Sequence, residues 1–238
     1  MLNNITIIFI LSNIIVDFYL APSILIDIKK TARRLFLEIL IYFCTMFFTS
    51  LLFCLLTRKW QLALSVMSLS CIKAALRIVL VHLRRNNLIK EPFLYFSEHF
   101  ISIALIIILI EATLSSHYAY KNILPLSIDN YDVSQTIRWI LLIILILKPA
   151  NETLKHTLSK YKIDEPTSQI VGKLERLLYA AMIYLNQYAT VGIIFAAKSF
   201  SRSKKVENDP LFAEYYLIGT LYSILFVVAC YLLVVKTL

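Results

Sequence analysis

Six ionisable residues stand in stretches too apolar to hydrate them: Asp17, Glu38, Lys73, Arg77, Glu98 and His99. A charge at membrane depth costs roughly 2.5–3.5 kcal/mol on insertion scales, so such residues face partners or a polar cavity. Asp17, Glu38, Glu98 and His99 balance Lys73 and Arg77, which lie one turn apart on a single helix face. Two readings follow. The set is an interhelical salt-bridge network that fixes packing, or it is a site for an ion, a proton or a ligand. Glu111 lacks an obvious partner and is expected near the membrane interface beside Ser115.

A second polar set lies near the C-terminus. Gly172-Lys173-Leu174-Glu175-Arg176 opens an apolar run, Asn186-Gln187 interrupts it, and Lys198 and Arg202 close it. Glu214 opens the next run, so Lys198, Arg202 and Glu214 flank one short hairpin where an ion pair forms easily. No Walker loop, GxSxG, HExxH or paired CxxC occurs, which demotes ordinary motif-bearing enzymes. Cys44, Cys54, Cys71 and Cys230 sit in apolar runs without metal or redox spacing and read as small hydrophobes. No catalytic residue, metal or cofactor is expected.

The elements that must position these residues are membrane helices. Hydrophobic residues make up 59% of the 238 and charged residues 16%, against roughly 45–50% and 25% in soluble domains. The apolar runs are continuous rather than alternating, which points to helices and away from a barrel. Candidate spans are Ile5–Leu20, Leu35–Leu56, Trp60–Leu83, Phe96–Leu114, Ile137–Leu147, Ile170–Ala197 and Phe212–Val235. An all-α bundle of about seven spans is therefore expected. The first and fifth are short, and the sixth is longer than the roughly 20 residues that a bilayer requires. The first run lacks a basic flank and a cleavage site, so it reads as retained rather than as a signal peptide. Residues 1–114 form a four-helix part with a charged interior, 115–136 an extramembrane loop, and 137–238 a C-terminal part. Within the last, 149–165 reads as an interfacial amphipathic helix, with Leu154 and Leu158 opposite its basic residues.

The formal charge of +9 is spread through short segments between apolar runs, as topology determinants are. No separate basic fold exists, so membrane lipids rather than nucleic acid are the expected contact. An N-outside orientation puts 14 basic residues inside and 8 outside. Four of those eight, Lys198, Arg202, Lys204 and Lys205, belong to the last hairpin and conflict with the orientation.

Several stretches also carry a resemblance. Leu11-Ser12-Asn13-Ile14-Ile15-Val16-Asp17-Phe18 resembles the opening helix of the domain-of-unknown-function 3307 family of bacterial membrane proteins. Lys148-Pro149-Ala150-Asn151, Gly172–Arg176, Ala197-Lys198-Ser199, and Glu214 with Leu217–Thr220 resemble its longer members. The family's N-terminal His and Asp positions are similar to those of membrane-embedded metal-dependent hydrolases. Here the opening His is Asn13, a second His position is Glu38, others fall near Ser70 and Ala74, and only Asp17 and His99 remain. The resemblance thus implies a degenerate, non-metal site. The expected function is a non-enzymatic multi-pass component of the cell membrane, in a stress- or defence-linked system, acting through a protein partner or as a homo-oligomer. The alternatives are a transporter, channel or permeabilising effector, and a hydrolase-like protein with a degenerate site.

Overall fold

A computed structural model of the chain describes residues 4–20, 91–115, 131–158 and 166–236 continuously. Between them it describes positions 37, 40–45, 47–49, 51, 67, 68, 70–76, 78 and 79. Among the described residues every regular element is helical and there is no strand. The chain divides into two compact units, Met1–Arg138 and Trp139–Leu238; from sequence, the C-terminal part was expected to begin at 137.

In the first unit α1 spans Asn4–Ile15 and continues as a π-helical turn over Val16–Leu20. It packs against α2, Glu91–Ser115. The positions 40–45 and 70–76 are also helical. On α2 the buried residues Glu98, Ser102, Ile106 and Ile110 recur every four positions and make one stripe. Its outer face carries Phe96, Phe100, Ile101 and Ile108, with Phe100 78% exposed.

In the second unit α3 (Tyr131–Thr157) contributes its residues from Trp139 onward. One helix thus runs through both the expected fifth span and much of the stretch read as a separate interfacial helix. Tyr131–Thr136, expected in the loop, is already helical. Pro149 lies inside α3 without ending it. Having no N–H, Pro149 leaves Leu145 O without its usual helical donor.

The expected sixth span, Ile170–Ala197, is two helices. α4 covers Pro166–Tyr184 and α5 covers Tyr188–Ser201. Asn186 stops α4 with φ 58°, a left-handed conformation that Asn tolerates better than most residues. The Gln187 N–H donates to Met182 O at 2.8 Å and the Asn186 N–H to Ile183 O at 3.1 Å, the paired bonds of a Schellman ending. The chain then turns back. Lys198 Nζ reaches Glu175 Oε2 at 2.5 Å, whereas a continuous helix would separate the two by about 34 Å.

α6 (Ser203–Asn208) leads into α7 (Pro210–Cys230), which ends in a π-helical stretch over Tyr231–Lys236. Asp209 caps α7 by accepting from the Phe212 N–H at 3.1 Å, with Pro210 in the first turn. Pro210–Lys236 is the one helix among the described residues that is long and apolar enough to cross a membrane. About seven such spans were expected from the sequence.

Candidate functional site

Near the C-terminal end of α1, one turn of helix separates Asn13 from the first buried carboxylate, so both face inward. That carboxylate, Asp17, lies in the π-helical turn and is 2% exposed. Lys73 comes from the helical stretch at 70–76 and is 4% exposed. Its Nζ donates to Asp17 Oδ1 and Oδ2, each at 2.7 Å, and also to Asn13 Oδ1. An ammonium carries three N–H donors and no acceptor. Three oxygens therefore complete its hydrogen bonding.

Around this pair lies a polar collar. Tyr42 Oη donates to Asn13 Oδ1 at 3.2 Å and Ser102 Oγ donates to the same oxygen at 3.3 Å. Asn13 Nδ2 donates to Asp17 Oδ2 at 3.4 Å. The Lys73 ammonium also sits 4.2 Å from the centre of the Tyr42 ring, within cation–π range. His99 places Nδ1 3.5 Å from Asp17 Oδ2, and its ring stacks on Phe18 at 4.6 Å. Four helical segments are joined through one carboxylate and one amide.

Of the six residues expected here, Asp17, Lys73 and His99 come together, and Glu98 is buried beside His99 on α2. Glu38 and Arg77 lie outside the residues described. Three members were not expected as such: Asn13, read only as the position of a lost histidine, and Tyr42 and Ser102. The four-residue spacing from Asn13 to Asp17 was a usable signal. Ser102 had a similar one, four residues after Glu98 on the same stripe. A tyrosine in a run of aromatics carries none. Among the described residues no group of three His, Cys, Asp or Glu side chains could hold a metal. A metal competing for Asp17 would have to displace the ammonium it already holds.

The C-terminal set is assembled differently from its expected form. Glu175 pairs with Lys198 across the α4–α5 turn. Arg176, 1% exposed, turns to backbone: Nε donates to Ile146 O at 2.7 Å and Nη2 to Leu147 O at 3.4 Å. Those carbonyls lie in the turn before Pro149, next to Leu145 O, whose helical donor Pro149 lacks, so a guanidinium from α4 is held against that turn of α3. Tyr179, one turn beyond Glu175, is buried with no hydrogen-bond partner for its hydroxyl among the described residues.

Arg202 and Lys205 lie over aromatic rings of α7. The Arg202 guanidinium is 6.0 Å from the Phe212 ring centre and 5.9 Å from that of Tyr216, and Lys205 Nζ is 4.1 Å from Phe212. Lys198 Nζ is 5.5 Å from the Tyr216 ring centre. Glu214 is exposed on the same turn of α7.

No family model, no curated protein and no solved structure matches this chain.

Proposed function

We propose that the chain is a multi-pass membrane protein whose work is non-enzymatic: a helical component of the cell membrane that acts through contacts with lipid and with a protein partner or a second copy. The observation that carries the membrane reading is an inverted polarity. On α4 the buried face holds Glu175, Arg176, Tyr179 and Ala180, while Ile170, Val171, Leu174 and Leu178 point outward. On α7 the buried positions include Tyr216, Thr220 and Ser223, and the outer ones Leu217, Leu221 and Leu225. α2 repeats the pattern with Glu98 and Ser102 inside and Phe96, Phe100 and Ile108 outside. Water as solvent would select the opposite arrangement, because large contiguous apolar surfaces are expelled from it. Hydrocarbon selects this one.

Within the membrane, the Asp17–Lys73 pair serves packing rather than chemistry. Its ammonium donates to three oxygens, and among the described residues no group of three metal-ligating side chains stands beside it. The stretches that resemble the domain-of-unknown-function 3307 family belong to the same proposal, that of a member whose metal positions have been replaced. The crossings proposed are the apolar runs of the N-terminal part and the helices α3, α4, α5 and α7, which divides the expected sixth span in two.

One observation favours a second reading, transport of protons or ions: the His99 imidazole lies 3.5 Å from the carboxylate of the buried pair. A single preparation separates the two. The protein is expected to remain in membranes after alkaline carbonate extraction. Once purified into liposomes, it is expected to leave proton and ion leakage at the level of empty vesicles. Release by carbonate would sink the membrane reading. Leakage that disappears in Asp17→Asn would replace the packing role by transport.

A further inference from the structure

The ends of the second unit differ in chemistry. Trp139 packs edge-on against Tyr184 at 5.0 Å and against Tyr231 at 5.9 Å. The start of the unit's portion of α3, the end of α4 and the end of α7 therefore meet at one level. Tyr188, Asn186 and Gln187 lie in the adjoining turn, with Tyr188 Oη donating to Asn186 Oδ1 at 3.1 Å. Toward the other end Arg202 and Lys205 cover Phe212 and Tyr216, while Glu175 meets Lys198 partway between, nine residues along α4 from Tyr184, about 14 Å. Along α7, Phe212 and Tyr231 are 19 residues apart, about 28 Å of helix. That separation matches the roughly 30 Å of bilayer hydrocarbon. Aromatic residues at both levels, with the basic residues concentrated at one, are the pattern of the two interfaces of a membrane protein.

These levels fix a direction for each helix. α3 runs from the aromatic end to the basic end, α4 returns, α5 runs back, and α7 returns again. We infer that residues 139–236 cross the membrane as an up-and-down bundle of four helices, so that Arg202, Lys204 and Lys205 emerge on the same face as the end of α3 and bind the anionic phospholipid headgroups of that leaflet, while Lys198 stays paired with Glu175. This rests on the membrane reading above. It also eases the conflict in basic-residue placement: Arg202, Lys204 and Lys205, left on the wrong side before, return to the side of Lys155. The stretch from Lys198 to Asp209 holds four basic residues against Glu207 and Asp209. Asp209 is engaged as the cap of α7. Phe200, 83% exposed, and Leu211, 68% exposed, flank the basic residues and supply apolar anchors at the headgroup boundary.

The test has two arms, applied to protein that has passed carbonate extraction, so that loss of membrane residence is recognised separately. In the first, single-cysteine variants Thr157→Cys and Ser203→Cys, made with the native cysteines replaced by serine, are labelled with a membrane-impermeant maleimide in vesicles of known orientation. Labelling from the same side is expected. Labelling from opposite sides would restore a single crossing for Ile170–Ala197 and overturn the inference. In the second, the thermal midpoint of the purified protein is followed against added phosphatidylglycerol, phosphatidylcholine or inorganic phosphate. Phosphatidylglycerol is expected to raise it where phosphatidylcholine does not. The half-saturating amount should increase more than tenfold in Arg202→Gln/Lys204→Gln/Lys205→Gln, since each basic residue near an anionic surface is worth about fivefold in binding. An equal response from the triple variant, or a full response to inorganic phosphate alone, would overturn the lipid assignment.

Discussion

Replacing Lys73 with methionine removes an ammonium that holds both oxygens of a carboxylate at 2.7 Å. What then remains near Asp17 is the Asn13 amide at 3.4 Å and the His99 ring at 3.5 Å, both too distant to replace the lost bonds. Breaking a buried pair from one side costs about 3–5 kcal/mol, because the remaining charge is left without compensation. Lys73→Met and Asp17→Leu should each lose stability in that range. The double variant should not, since a well-packed apolar pair of similar volume is often neutral or stabilising. In that background Asn13 Oδ1 keeps Tyr42 and Ser102 as donors, and the long Asn13 Nδ2 bond to Asp17 that is lost costs far less than an unpaired charge. The coupling between the two positions should therefore reach at least about 3 kcal/mol. Unfolding by sodium dodecyl sulfate in mixed micelles, followed by far-ultraviolet circular dichroism, measures all four corners of the cycle. A double variant as unstable as the two single losses added together would refute the packing account.

Three further outcomes follow from the second unit. Arg176→Met should destabilise by about 1–3 kcal/mol through the carbonyls it abandons, and by less in a Pro149→Ala background, where α3 closes on itself; the same micelle titration reads the coupling. Tyr179→Phe should be neutral or slightly stabilising in a thermal melt, because it removes a buried hydroxyl that has no partner among the described residues. Asp209→Ala should cost about 1 kcal/mol by loss of the α7 cap, with Asp209→Ser restoring most of it in the same melt.

The buried charges were legible because their neighbours are so apolar. Asp17, Lys73 and His99 stand out in any reading of their segments, and their opposite signs imply that they meet. The amide that organises them was not legible, since Asn13 gains its role from Lys73, 60 residues away. The division of the expected sixth span is the larger difference. Asn186-Gln187 was visible as an interruption, but a run of 28 residues without proline near its middle reads as one long helix. The stop is made by a left-handed Asn186 and two backbone bonds, and neither depends on a residue type that sequence patterns flag strongly. Pro149 misleads in the opposite direction. It reads as a boundary, yet α3 passes through it with help from a guanidinium on another helix.

That help sets an order of assembly. The carbonyl of Ile146 is synthesised 30 residues before the arginine that donates to it. On the proposed membrane reading, the turn of α3 before Pro149 leaves the ribosome with Leu145 O lacking a helical donor, and hydrocarbon offers none. Nor can Arg176 enter lipid cheaply without its carbonyl acceptors. On that reading each helix lacks, until the other arrives, a polar partner that lipid does not supply. α3 and α4 should partition from the insertion machinery as a pair, with the first waiting for the second.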